Sequence, residues 1–112
     1  MKKLFAIPTI RGNLCAHFGH CESFAIVETE NHKINNTEYI TPQIHEPGAY
    51  PKFLADKGVS TIISGGMGGK AQDLFAQNNI EVFMGVNAEN PEILVEQYLQ
   101  NKLVSGDNLC DH

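Results

Sequence analysis

"VSTIISGGMGGKAQDLFAQNNIEVFMG", residues 59–85, decides the fold. Its first six residues, Val59 to Ser64, are β-branched and apolar, which suits a central strand. The period then changes. Met67, Ala71, Leu74 and Phe75 fall at i, i+4, i+7 and i+8, one face of a helix. "IEVFMG", Ile80 to Gly85, returns to a strand. Strand, helix and strand in that order imply parallel strands joined by a right-handed crossover.

Upstream, "LFAIP" (Leu4 to Pro8) reads as a buried strand ended by proline. Thr9 to Glu22 is polar and contains glycine, so it is expected to be a loop, and structureless loops of that length are often functional. "SFAIVET" (Ser23 to Thr29) and the stretch Ile34 to Thr41 read as two more strands. The polar "ENHK" between them is a turn, which makes the pair an antiparallel hairpin. Pro51 suits a first helical position, and Gly58 stops that helix. Downstream, Asn90 is an N-cap and Pro91 the first helical residue. Leu94, Val95, Tyr98 and Leu99 form the last helix's apolar face, and Gly106 follows its end. The expected order is β-β-β-α-β-α-β-α. That is one α/β domain over residues 1–112, a mixed five-stranded sheet with an antiparallel hairpin edge and helices on both faces.

The chain is 42% apolar and 19% charged, ordinary for a globular domain, and its length suits one domain. The formal net charge is −5, and Lys2-Lys3 is the only basic cluster. A nucleic-acid binder needs a basic face for the phosphates, so no nucleic-acid partner is expected. No apolar run nears the roughly 18 residues that span a bilayer, so no membrane role is expected. "MKKLFAIPTI" begins like a secretory leader, but the apolar run is short and no small-residue cleavage site follows. The expected location is the cytoplasm. Three cysteines, an odd number, point away from a disulfide framework and toward metal or redox chemistry.

"CAHFGHC", residues 15–21, puts Cys15, His17, His20 and Cys21 in one short stretch. Thiolate and imidazole are the ligands that hold iron, copper, zinc and iron–sulfur species. Gly19 lets the backbone turn between them. The tail repeats the chemistry with Cys110 and His112. A bland alternative stands for each residue alone: cysteine packs as a small hydrophobe, and a loop histidine is simply solvated. The spacing is neither a structural zinc pattern nor a ferredoxin cysteine run. An incomplete cage suits a protein that receives a preformed cluster and hands it on, because too many strong ligands would prevent release.

"HFGHCESFAIVE", then "GGMGGKAQDLFAQNNIEVFMG" and a closing "NLCDH", resemble the dinitrogenase iron–molybdenum cofactor biosynthesis family. The family includes NifX-like cluster carriers, the C-terminal part of NifB, and small relatives in anaerobes. The resemblance covers nearly the whole chain. It implies a ribonuclease-H-like three-layer α/β/α fold. It also implies non-enzymatic binding of an iron–molybdenum cofactor, its precursor, or another Mo/Fe or Mo/Cu sulfide cluster, with a cluster donor or recipient protein as partner. On the family pattern His17 is the principal contact, with Phe18 and Gly19 matching. Cys21, Cys110 and His112 match frequent family positions, while Cys15 and His20 look like additions. The radical-SAM cysteine motif of full-length NifB is absent, so cofactor-building chemistry does not carry over.

Gly65, Gly66, Gly68 and Gly69 precede the central helix. Gly66, Gly68 and Ala71 satisfy a loose dinucleotide fingerprint, but not on the first strand and without the acidic residue that binds ribose. These glycines are read either as a tight turn with close helix–sheet packing or as a small-anion or nucleotide module. A third reading seats an anionic cluster on the helix's first amides, assisted by Lys70 and Arg11. An enzyme with Cys21 as nucleophile beside His17 or His20 is the remaining rival. His32 is expected to be solvated in the hairpin turn, and His45 is a weak extra candidate.

Overall fold

The computed structural model describes residues 2–14, 23–41, 50–67, 69–84 and 90–100. Strand β1 (Lys2–Ile10) carries Phe5, Ala6 and Ile7, all fully buried, as a strand covered on both faces must. A two-residue β2 (Asn13–Leu14) folds back on it. The hairpin β3 (Ser23–Glu30) and β4 (Lys33–Ile40) follows, then α1 (Tyr50–Asp56), β5 (Val59–Ile63), α2 (Gly69–Gln77), β6 (Glu81–Phe83) and α3 (Pro91–Leu99). The sheet order is β4-β3-β1-β5-β6, with β2 off this path beside β1. β1, β5 and β6 run parallel; β3 and β4 form the antiparallel edge. The chain is a mixed α/β fold with a six-stranded mixed sheet and three helices among the described residues.

Side-chain alternation divides the core between the two faces. Phe24 and Ile26 of β3 join Ile62, Leu54 of α1 and Phe75 of α2 in one cluster. Phe5, Ile7, Ala25 and Val27 meet Ile63 and, from α3, Leu94 and Val95 in the other. β4, "KINNTEYI", is mostly exposed. Its polar residues suit an edge that must not recruit another strand.

The expected caps form. Asn90 accepts a hydrogen bond from the Glu92 amide at 2.9 Å, with Pro91 first in α3. Gly58 ends α1 at φ +93°, where a Cβ would be strained and would stand 3.3 Å from Leu4 Cδ1. Asn79, at φ +60°, ends α2 in the same way. α3 is described to Leu99 with Gln100 as its cap; Gly106 lies outside the described residues.

Two expectations change. β1 does not stop at Pro8 but runs to Ile10. Its ladder with β5 ends at Ala6–Ile62, so the amide that proline lacks falls beyond that ladder. The sheet also has a sixth strand, because Arg11 and Gly12, at φ +54° and +86°, make a two-residue turn that returns Asn13 and Leu14 to β1. A polar Arg-Gly pair does not look like a strand turn until the partner strand is in place.

No helix among the described residues is long and apolar enough to cross a membrane.

At the other end of the hairpin, Glu28 takes hydrogen bonds from Lys2 Nζ at 3.0 Å and from Asn35 Nδ2 at 2.6 Å. Asn35 is the bulge residue without an opposite partner in the β3–β4 register. The Lys2 bond first, and the Asn35 bond second, hold the Glu28 carboxyl below its ordinary 4.5. A lowered folded value stabilises the fold above the unfolded carboxyl's range, and this is lost as pH falls through the folded value. Glu28→Gln should therefore lower the urea midpoint slightly at about pH 7 and not at about pH 3. Equal deficits at both pH values would refute this.

Candidate functional site at the carboxyl edge

The parallel strands β1, β5 and β6 all end at one edge of the sheet. Ser23, the first residue of β3, pairs with Thr9 near the end of β1. Ile40, the last of β4, pairs with Phe24. Connections 11–22, 41–49, 64–68 and 84–89 therefore all leave from this edge. Ligands of open α/β sheets bind in the crevice outside the carboxyl ends of the strands.

Thr9 is the fixed point. It is fully buried and pairs with Ser23 on one side and Leu14 on the other. Its hydroxyl donates to the Ser23 carbonyl at 3.1 Å and lies 2.8 Å from the Ser23 hydroxyl. Leu14 is buried in the core. Both ends of segment 15–22 are thus anchored at the level of Thr9, one strand to either side of β1. That separates the anchors by two interstrand spacings, about 10 Å. Nothing in the sequence marks Thr9 and Ser23 as this base, since their pairing needs the β1–β3 register.

Cys15, His17, His20 and Cys21 lie on that segment, outside the described residues, as do Cys110, His112, His45 and Gly68. Among the described residues no three His, Cys, Asp or Glu side chains could together hold a metal ion.

The rest of the expected site can be placed. Arg11 is exposed in the β1–β2 turn at the carboxyl edge. Gly65 and Gly66 are buried directly after β5. The Ser64 amide donates to the Phe83 carbonyl at 2.8 Å, and the Ser64 hydroxyl donates to the Gly66 carbonyl at 3.2 Å. Met67 is buried in the core, and its carbonyl accepts from Gln72 Nε2 at 2.9 Å. Gly69 and Lys70 open α2 and are exposed, with open space around a Cβ built on Gly69. Among the described glycines only Gly12 and Gly58 have positive φ.

The comparisons with known proteins agree with this architecture. The sequence profile of the dinitrogenase iron-molybdenum cofactor family matches residues 1–101. The uncharacterized protein MJ0580 of Methanocaldococcus jannaschii is 35% identical over 103 residues, covering 88% of this chain and 86% of its own. The crystal structure of PH0822 superposes with a TM-score of 0.82 at 28% identity, over 92% of this chain and 96% of that one. The apo form of the orange protein from Desulfovibrio gigas gives a TM-score of 0.75 at 17% identity, over 95% and 94% of the two chains, a likeness of fold alone. A profile match across residues 1–101 of 112, on a sheet with this strand order, assigns the chain: it belongs to the dinitrogenase iron-molybdenum cofactor family.

Proposed function

We propose that the protein carries an iron- and/or molybdenum-containing sulfide cluster as cargo at the carboxyl edge of its sheet, and exchanges it with a donor or recipient protein in cofactor assembly. The observation that carries this reading is the double anchoring at Thr9. It ties Leu14 and Ser23, which flank the Cys/His stretch, to the sheet edge where β5 also ends, in a chain of this family.

Chain length bounds the geometry. Nine residue steps join Leu14 to Ser23, so their midpoint extends at most ~15 Å from the anchors. Cys15 is one step from Leu14 and Cys21 two from Ser23. Within that reach the reading takes His17 and Cys21 as principal ligands and Cys15 and His20 as additional ones. The α2 amides at Gly69 and Lys70 supply partial positive charge to an anionic cluster, and Arg11 sits on the same edge. Too few ligands close the cage for permanent retention, which suits carriage. No bond in the cargo is made or broken in this reading, so the protein acts as a carrier and not as an enzyme.

Cys110 and His112 contribute less. α3 crosses the strands diagonally: Glu92 accepts from Thr37 of β4 at 2.7 Å, and Tyr98 ends beside Lys3 and Glu81. The chain leaves α3 toward the amino edge. Ten residues from Gln100 to Cys110 reach about 33–36 Å if extended but only ~15 Å as a helix. Lys3 and Thr9 stand ~20 Å apart along β1. The tail meets the site only if largely extended. The same reading takes α1 and α2, the sheet, and α3 as the layers of a ribonuclease-H-like fold.

Protein purified without oxygen should contain iron, molybdenum or both with acid-labile sulfide, and absorb in the visible range. Metal-free protein that stays colourless after anaerobic incubation with iron, sulfide and thiomolybdate would overturn the proposal. Thermal stabilisation of such protein by nucleotides would favour the glycine-loop module instead.

A further inference from the structure

A cavity of about 530 Å³ opens at the amino edge, opposite the proposed cargo site, and its walls include Lys2, Lys3, His32, Ser60, Tyr98 and Leu99. The chain has 13 acidic residues against 8 basic ones, yet two lysines and a histidine line this cavity and no described lining residue is a carboxylate. Two nearby carboxylates are already engaged. Glu28 accepts from Lys2 at 3.0 Å, and Glu81 accepts from the Tyr98 hydroxyl at 2.5 Å.

Lys3 is held in position. Its Nζ donates to Tyr98 Oη at 3.2 Å and lies 5.3 Å and 4.9 Å from the centroids of the Phe5 and Tyr98 rings. An ammonium has three N–H donors. Tyr98 accepts one from Lys3, which leaves donors on the Lys3 ammonium for an oxyanion.

The hairpin turn adds an independent observation. Asn31 and His32 both have positive φ, +52° and +66°. Such a two-residue turn prefers glycine at its second central position, where a Cβ is penalised. Turn energetics alone would put glycine at 32, but the chain has an imidazole there, and it lines the cavity. The expectation of a merely solvated His32 is thus incomplete: the residue is exposed and also forms part of a wall.

We propose that this cavity binds a small phosphomonoester of about nucleotide size, with its phosphate between Lys3 and His32 and its organic body against Tyr98 and Leu99. The volume lies within the roughly 300–1,000 Å³ of small-molecule sites, far more than a bare phosphate fills. The methylene stems of the lysines, the Leu99 side chain and the Tyr98 ring supply apolar wall.

The test is amide NMR of the full chain titrated with AMP, ribose 5-phosphate and inorganic phosphate. At least one ester should give saturable shifts at Lys3, His32 and Ser60, at least ~10-fold tighter than inorganic phosphate. His32→Gly relieves the turn, so its melting temperature should stay level or rise while ester affinity falls at least ~10-fold. Lys3→Gln should weaken the ester comparably without altering the turn. Four results would overturn the proposal: no saturable shift with either ester up to ~10 mM, shifts confined to residues 65–70, inorganic phosphate binding as tightly as the esters, or unchanged affinity in both variants.

Discussion

Alanine at both His17 and Cys21 is expected to abolish cluster loading, with apparent affinity falling by at least about 100-fold. That magnitude is a floor, because outer-shell partners of metal ligands alone cost ~10–100-fold when removed. Cys110→Ser combined with His112→Ala should cost less than about 10-fold, because the tail must stay extended to reach the site and loses entropy in doing so. With these side chains acting as cargo ligands, stability should change by no more than about 0.5 kcal/mol in either double variant. The measurement is anaerobic titration followed by visible absorbance, with a urea midpoint as the control for folding. Unchanged loading in the His17/Cys21 variant, with the midpoint intact, would remove the ligand assignment. A larger loss from the tail pair would instead make Cys110 and His112 the principal contacts.

Phe75→Ala should lower stability by about 3–5 kcal/mol, a large share of the roughly 5–15 kcal/mol that holds a domain together. Phe75 is fully exposed to the core and not at all to solvent, and it is the one buried side chain of α2. It packs with Leu54, Ile62, Met67 and Ile80, so its removal opens a void shared by α1, α2 and β5. The backbone ties at the end of α2 remain: the Phe75 carbonyl still accepts from the Asn78 and Ile80 amides at 3.0 Å and 2.9 Å. The cost is therefore one of packing, and Phe75→Leu, which keeps most of the volume, should lose less than about 1.5 kcal/mol. The melting temperature of the alanine variant should fall by roughly 15–30 °C. A loss under about 1 kcal/mol would mean that α2 does not depend on this contact.

α2 was legible for the same reason that Phe75 matters. Ala71, Leu74 and Phe75 repeat at helical spacing, and Ala71 and Phe75 meet one core cluster; Met67, read as part of the same helical face, joins that cluster from the turn before α2, which begins at Gly69. The Asn90 cap and the Pro91 start of α3 were equally legible, because a cap is a local hydrogen bond between residues two apart. Thr9 and Ser23 illustrate the opposite case. Fourteen residues separate them, both are small polar residues common in loops, and only the β1–β3 ladder turns them into the base of the candidate site. Pro8 misled because a proline ends most strands, and its tolerance here depends on where the neighbouring ladder stops.

By itself the sequence determined five of the six strands and the three helices in their order, the burial of β1, the β3–β4 hairpin, and the family. Each is written in local periods, caps and motifs that the chain carries wherever it folds. Only the tertiary structure decided that the hairpin lies beside β1, that Leu14, Ser23 and Gly65-Gly66 stand at one edge of the sheet, and that α3 ends near Lys3 and Glu81 at the far side. Those outcomes rest on strand register and helix docking between residues as far apart as Lys3 and Tyr98, 95 positions along the chain, where no local period reaches.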